Sequence, residues 1–518
     1  MKWFNTGGPC VPEDHYMLPA TKRLEAYNLH RLIDQRGYFV VHAPRQTGKT
    51  TAMMELAREL TASGKYISVV LSLEVGVPFS NQPERAMDAI VSNWKSTIRS
   101  QFAIDFHPEK WMPESLDGNT MNTFLTEWAL SASRPLVIFL DEIDALEDET
   151  LISVLRQLRS GYSNRPKGFP SSLAIIGLRD VRDYKVKSGG SDRLNSPSPF
   201  NIAVKSVTLS NFTADEVNQL LQQHTDETEQ PFTPEAVSRI NYLTEGQPWL
   251  VNALAKVCVE ELVQDESLPI LPEHIDQAKE LIIQRRHTHL DSLGDKLNEA
   301  RVRPVIEPIM AGDTPEVVPR DDIDYVIDLG LVKQENGSGI LIANPIYKEI
   351  LIRELVSIPQ AFLPSIQPTW LNEDGSLNPD KLLNAFLSFW KQNGEPLLRA
   401  APYHEIAPHL VMMAYLHRVV NGEGSLDREY AIGMGRMDLS LHYRELTMGM
   451  ELKVWRNGKK DPLEKGLEQL DSYLNGLELE TGWLVIFDKR SGLPELSERT
   501  TTEPATTPQG KRVTVIRA

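Results

Sequence analysis

Cysteine is nearly absent from this chain. Cys10 and Cys258 are the only two in 518 residues, and two isolated cysteines make neither a disulfide framework nor a zinc site. A reducing cytoplasm is the expected compartment. Long apolar runs are missing as well. None reaches the roughly 18 residues of a membrane helix, so no membrane partner is expected. The opening MKWFNTGGPCVPEDHYM has neither the basic start nor the apolar stretch of a signal peptide. Positive charge is in deficit: 54 Lys and Arg stand against 71 Asp and Glu, a net charge of −17. That excludes a broadly basic, constitutive nucleic-acid binder, because phosphate contacts need a basic surface. A local basic groove stays open, and carboxylates gathered at metal sites add to the acidic count.

What is present is a chain long enough for three or four domains. YFVVH (Tyr38 to His42) is a short apolar run that leads through APRQTGKTT into a helical period ending near Gly64. YISVVLSL, PLVIFLDEIDAL and SLAIIGLRD are further apolar strands separated by helical stretches. Buried strands alternating with helices predict an α/β fold with a parallel, doubly wound sheet. After the polar loop SGGSDRLNSPSPFN, Thr213 with Glu216 has capping-box spacing, and Thr233 precedes Pro234 at a first helical position. A helical unit followed by a hairpin turning at ENGSG suggests a winged helix. A proline-bearing stretch then leads to a last α/β domain. The expected boundaries are a parallel-sheet core at 1–212, a helical unit at 213–290, a winged helix at 291–358, a linker at 359–379 and a C-terminal domain at 380–518.

APRQTGKTT lies where a phosphate-binding loop belongs, between strand and helix. Backbone N–H groups of Ala43, Pro44, Arg45, Gln46, Thr47, Gly48, Lys49, Thr50 and Thr51 (Pro44 apart, which has none) are the expected cradle for ATP phosphates. Lys49 reaches the β and γ phosphates and Thr50 offers its hydroxyl to Mg²⁺. Ala43 stands where such loops usually begin with glycine, so it must avoid positive φ. In LVIFLDEID an apolar strand ends on Asp141, a candidate Mg²⁺ ligand, and Glu142, a candidate for polarising the attacking water. Either motif alone arises by chance; the two in this order and context point to a nucleotide site.

With these motifs, the first 290 residues or so resemble the AAA-related ATPases of the signalling (STAND-like) group. The resemblance implies that Arg179, after the fourth strand, acts as a sensor or finger at the γ-phosphate. It implies that Gly246, Gln247 and Pro248 of TEGQPWLVN form the lid's GxP motif, with Pro248 near the nucleotide. HYMLPATKRL resembles the adenine-side segment; Tyr16 and Met17 are base-contact candidates there, with core packing the plainer reading.

A second constellation lies downstream. GRMDL places Asp438 in or near a strand, and MELKV gives Glu451 and Lys453 two apart, on one strand face. An antiparallel hairpin brings Asp438 beside them. Acids and a lysine on one buried face are costly unless something pairs them, and hard carboxylate ligands suit Mg²⁺ or Mn²⁺. Such a metal activates water for phosphodiester cleavage, while Lys453 orients the water or offsets charge. Glu405 lies on the preceding helix as a further candidate ligand, and Gln469 and Tyr473 share a helix face. The bland reading is a solvated strand face and an ordinary amphipathic helix.

The set resembles the PD-(D/E)XK nuclease superfamily over roughly residues 380 to 490: a helix Glu, an Asp, ExK, then QxxxY as in RecB-like members. GRMD supplies only the essential acid of the usual Pro-Asp motif. The fused architecture resembles a prokaryotic family joining AAA-like ATPases to such nucleases, which implies regulated cleavage, DNA rather than RNA as substrate, and antiviral defence as a setting. A homo-oligomer, assembled under ATP control, is the expected state. The alternatives are an ATP-driven oligomerising signalling switch, or a nucleic-acid-binding scaffold with an inactive nuclease fold. There is no helicase motif set to suggest translocation.

Overall fold

A computed structural model describes residues 1–108, 118–180, 202–285, 288–311, 318–335, 339–363, 367–400, 407–420, 424–429 and 437–518. The chain divides into two compact units. One is Met1–His289 with Asp328–Gly330; the other is Leu290–Ile327 with Leu331–Ala518.

The first unit is built on five parallel strands: β1 (Tyr38–His42), β2 (Ile67–Ser72), β3 (Leu136–Asp141), β4 (Ser172–Gly177) and β5 (Ala203–Thr208), in the order β2-β3-β4-β1-β5. Helices α1 (Leu29–Asp34), α2 (Lys49–Ala62), α3 (Pro83–Gln101), α4 (Thr120–Ser131) and α5 (Asp148–Gly161) accompany it. Successive strand residues face opposite ways, and both faces are covered. Tyr38, Val40, Ile138 and Leu140 join the core that holds Trp94 and Trp128. Phe39, Val41, Val137 and Phe139 join the core under α2. This is why the strands read as unbroken apolar runs. β5 has no such signature: AVKSVT carries Lys205 and Ser206 and is only partly covered, because it is the sheet's edge.

Helices α6 (Ala214–Thr228), α7 (Pro234–Thr244), α8 (Pro248–Val257) and α9 (Pro272–Gln284) follow. The Thr213–Glu216 capping box is formed in full, with Thr213 N donating to Glu216 Oε2 at 2.8 Å and Glu216 N to Thr213 Oγ1 at 3.2 Å. Thr233 caps α7 by accepting from Ala236 N. Between α7 and α8 the chain turns through Glu245 and Gly246, both left-handed, at φ 49° and 69°.

The second unit opens with α10 (Thr288–Lys296), α11 (Arg303–Ala311) and α12 (Arg320–Asp328), a ribbon of β6 (Val332–Glu335) and β7 (Gly339–Ile342), and α13 (Pro345–Phe362). Residues 359–362, expected as linker, are instead the last turn of α13, which packs along α15 (Ala407–Val420). α14 (Pro379–Ala400) precedes α15. A six-stranded mixed sheet comes next: β8 (Gly424–Glu429), β9 (Met437–Tyr443), β10 (Leu446–Trp455), β11 (Thr481–Asp488), β12 (Thr501–Thr506) and β13 (Arg512–Arg517), ordered β12-β13-β11-β10-β9-β8. β8 and β9 pair antiparallel. TTEPAT, expected as loop, is β12. It is an edge strand, the one place where Pro504 and exposed threonines are tolerated. β10 and β11 are parallel and need a crossover, supplied by α16 (Leu463–Gly476), while α17 (Leu496–Arg499) packs on α14. Gly466 lets α16 lie close on the sheet: a Cβ there would come within 2.8 Å of Leu484.

Gly246 tests the α7–α8 turn. A Cβ there would sit 1.9 Å from the Phe212 carbonyl oxygen, and φ is positive besides. Gly246→Ala is expected to destabilise the first unit by more than about 1 kcal/mol, read as a lowered denaturant midpoint; an unchanged midpoint would show that the turn yields freely.

Candidate functional sites

The carboxyl ends of β1, β3 and β4 meet on one edge of the first sheet, where ligands bind in open α/β folds. The loop after β1 is anchored by Ala43 N donating to Gly177 O at 3.3 Å. Its left-handed residues are Gln46 (φ 62°) and Gly48 (φ 87°), so Ala43 pays no Cβ penalty for standing where glycine is usual. No side chain caps α2, whose first turn follows Gly48 directly. Its N–H groups are the donors an anion takes up.

Lys49 folds back into this loop, donating from Nζ to Ala43 O (2.7 Å) and Pro44 O (2.8 Å). Burial lowers its pKa to about 8, against the opposing pull of Asp144 and Asp141. Thr50 Oγ1 donates to Asp141 Oδ2 at 2.5 Å, and Glu142 N donates to Asp141 Oδ1 at 2.9 Å. Glu142 is itself left-handed, at φ 64°, and accepts from Ser72 Oγ at 2.6 Å. Burial raises the pKa of both carboxyls above their ordinary values. The loop, Lys49, Thr50, Asp141 and Glu142 are thus brought together. A hydroxyl and a carboxylate that already meet suit a hard divalent cation held beside triphosphate. Arg45 is exposed, and Thr51 Oγ1 accepts from Cys10 N at 3.1 Å.

Arg179 lies just beyond β4, and its Nε donates to Asp328 Oδ2 at 2.9 Å. Two residues on, Gly330 lies so near the loop that a Cβ there would approach Pro44 to 2.6 Å. Pro248 is buried at the first position of α8. The neighbouring Gln247 touches the phosphate loop, donating from Nε2 to Gln46 O at 3.3 Å while Oε1 accepts from Leu250 N. Tyr16 packs against Phe4 and His224, and Met17 is tied by its backbone to Gln223.

Four residues at this site had no sequence assignment to it. Ser72 is paired in register with Asp141, so a polar residue closing an apolar strand was the available signal. Asp144 accepts from Leu178 N. Gln247 was seen as part of a lid motif but without this contact. Arg23 donates to Thr47 O at 2.9 Å and lies over the Phe212 ring, 4.8 Å from its centroid; no local pattern marks it.

In the second unit, β9 and β10 pair with Asp438 directly opposite Glu451. Lys453 and Glu451 form an ion pair, with Glu451 fully buried and Lys453 nearly so. Tyr473 is buried on α16 against Gly449 of β10, while Gln469, one turn earlier, is half-buried. Glu405, expected as a ligand, and the Asp438 side chain lie outside the described residues. Among the described residues no group of three or more His, Cys, Asp or Glu side chains is placed to hold a metal.

Sequence reading also passed over His409. It sits in an apolar helix, α15, that reads as core, yet it is wholly buried with both ring nitrogens lacking a hydrogen-bond partner. Burial, reinforced by the positive charge of Lys453, Arg456 and Lys489, lowers its pKa to about 3 and keeps the imidazole neutral.

The parallel sheet, the loop entering α2 and the Asp–Glu strand end define a P-loop nucleotide-binding protein. The chain belongs to the AAA-like domain family, whose sequence profile matches residues 20–351, and it is accordingly an ATP-binding, ATPase-like P-loop protein. Among solved structures it is similar to the Walker-type ATPase PABY2304 of Pyrococcus abyssi, at 13% identity over 67% of this chain and 99% of that one, with a TM-score of 0.46. It is also similar to the RuvB Holliday junction branch migration motor of Thermotoga maritima, at 15% identity, 64% and 93% coverage and a TM-score of 0.35. Cdc6p of Pyrobaculum aerophilum follows at 14% identity, 67% and 96% coverage and a TM-score of 0.35. No curated protein matches the chain. No helix among the described residues is long and apolar enough to cross a membrane.

The depressed Lys49 pKa has a measurable consequence. Phosphate favours charged lysine, so ATP binding above about pH 8 must take up a proton, and affinity falls as pH rises further. Calorimetry in buffers of different ionisation enthalpy should give uptake near zero at about pH 7 and approaching one proton at about pH 9. Equal heats in all buffers at the higher pH would refute the assignment.

Proposed function

We propose that this chain is an ATP-controlled, metal-dependent nuclease, with the AAA-like module regulating phosphodiester cleavage in the C-terminal domain. The observation that carries the reading is the Asp438–Glu451 register, with Lys453 paired to a Glu451 that has no exposure to solvent. An acid at that depth is costly unless its charge is put to use. Asp438, Glu451 and Glu405 are the proposed ligands for Mg²⁺ or Mn²⁺. Such an ion would supply charge to activate water and stabilise the departing oxygen. Lys453 orients the water or offsets charge on the phosphate. Gln469 and Tyr473, on the helix crossing over β10, are proposed to position the strand. DNA is the proposed substrate, with antiviral defence as the setting. The helices and ribbon at 291–358 are proposed as a winged helix, between a lid at 213–290 and the domain beginning near 380.

At the nucleotide site, Lys49 releases the loop carbonyls and takes the β and γ phosphates, Thr50 and Asp141 hold Mg²⁺, and Glu142 polarises water. Arg179 is the proposed γ-phosphate sensor. Its carboxylate partner Asp328 competes with the nucleotide for it, and this gives ATP something to switch.

The first test is cleavage of labelled linear, circular and single-stranded DNA and RNA with Mg²⁺ or Mn²⁺, with and without ATP. Cleavage should be lost in Asp438→Ala by at least about a hundredfold, and in Lys49→Ala the response to ATP should vanish. Cleavage that survives Asp438→Ala sinks the nuclease assignment, and Lys49→Ala behaving as wild type with and without ATP sinks the control.

A second reading, an ATP-driven oligomerising signalling switch, is favoured by the same Arg179–Asp328 pair and is compatible with nuclease activity. It predicts a homo-oligomer whose mass, read by light scattering, rises with ATP in wild type and not in Lys49→Ala. A mass independent of nucleotide counts against it.

A further inference from the structure

The C-terminal sheet ends its two central parallel strands in two short loops, and their charge runs against that of the chain. The loops after β10 and β11 carry Arg456, Lys459, Lys460, Lys489 and Arg490 against two acids, Asp461 and Asp488, each paired with an arginine, in a protein of net charge −17. Trp455 and Asp488 are the last register pair of β10 and β11, so both loops leave from the carboxyl edge of parallel strands, the edge at which open α/β sheets bind ligands. Glu451 and Lys453 lie on the same strand, four and two residues before Trp455.

The loops are fastened together. Lys489 N donates to Trp455 O at 2.8 Å, Asn457 Nδ2 to Ser491 Oγ at 3.0 Å, and Ser491 N to Asn457 Oδ1 at 3.2 Å. Arg490 lies over the Trp455 ring, 3.5 Å from its centroid, while Asp488 holds its guanidinium at 2.6 and 2.9 Å. Arg499 Nη1 donates to Asp488 O at 2.6 Å. Lys459 and Lys460 are exposed, and Arg456 and Lys489 are half-exposed. Arg456 and Lys489, together with Lys453, add their positive charge to the burial that keeps His409 neutral. Cations on long side chains, set on a braced platform with an aromatic ring at its base, suit a polyanion of repeating phosphates.

We propose that this rim is the surface that seats the phosphodiester backbone of a nucleic-acid strand at the C-terminal domain. The proposal deepens the nuclease reading and rests on it for the identity of the partner. Lys459 and Lys489 make the phosphate contacts, and Arg490 with Trp455 keeps the platform rigid.

The test measures binding in EDTA, where metal-dependent cleavage is silent, using the full chain and fluorescent strands of about 20 nucleotides as single-stranded DNA, duplex DNA and RNA across a salt series. Lys459→Glu/Lys489→Glu is compared with Lys391→Glu/Arg512→Glu. The control has the same charge change, with Arg512 at the opposite end of the sheet, where it pairs with Thr481. For whichever strand binds best, the rim variant should bind about tenfold or more weaker near about 100 mM salt, with a salt slope lower by about two, while the control stays within about twofold. Lys459→Gln/Lys489→Gln should fall between. Wild-type circular dichroism and an unchanged C-terminal unfolding transition certify that each variant is folded. Equal losses in rim and control variants, or no binding of any strand by the wild type, overturn the proposal. Binding that depends on the rim while Asp438→Ala leaves cleavage unaltered would overturn the nuclease assignment and keep the rim. Cleavage lost in Asp438→Ala with rim variants that bind normally would do the reverse.

Discussion

A carboxylate placed at the end of a buried apolar strand must be met by a donor, and much of this molecule's chemistry follows from that constraint. Asp141 closes a strand buried at all six positions. Left alone it would take up a proton or cost several kcal/mol. It is met by Thr50 and by the N–H of Glu142. The Thr50 contact ties the first turn of α2 to β3, across a sheet in which β4 stands between β1 and β3. The phosphate loop is therefore held from both sides, by the acid strand and by Gly177 at the end of β4. A bond of this kind is also easily exchanged. A cation taking the hydroxyl and the carboxylate replaces one favourable contact by two, and no backbone has to move.

The second unit solves the same problem differently. Glu451 is more deeply buried than Asp141, and its described partner is a lysine two residues along the same strand. Such a pair forms within one strand, because alternate residues share a face. Burying both charges costs more than pairing them returns. The neutral His409 close to this cationic strand end adds a buried imidazole with no hydrogen-bond partner among the described residues. Packing alone accounts for neither, and both lie toward the end of the sheet where the positively charged loops emerge.

How much of this was legible in sequence depends on how local the cause is. The phosphate loop and the Asp–Glu strand end are continuous stretches in which the chemistry and the fold share the same residues, so pattern and spacing reveal them together. The four covered strands are legible because burial on both faces forces unbroken apolar runs. β5 and β12 were not, because these two edge strands, unlike β2, are only partly covered and so need no apolar continuity. The last turn of α13 was hidden by Pro359 and shows only through its packing on α15. Ser72 and Arg23 were invisible for a related reason. Each reaches its partner through the fold, over 70 residues to Glu142 in one case and 24 to Thr47 in the other. His409 was hidden by its neighbours, since one histidine in an apolar helix reads as core until its missing partners are counted.

Arg179, proposed from resemblance as a sensor, faces a different partner in the structure. Its position after the fourth strand marks it as a group for the nucleotide's terminal phosphate, yet here its guanidinium is turned to a carboxylate, Asp328, beside a glycine packed on the phosphate loop. Asp328–Gly330 is also the one short segment that packs with the first unit while the chain on either side of it belongs to the second. An arginine can satisfy a carboxylate or a phosphate with the same planar fork, so the two partners exclude each other at similar geometry. On the proposed sensor role, nucleotide that claims Arg179 would release Asp328. The energy for that exchange comes from differential binding of the two states, which requires only that phosphate be the better partner.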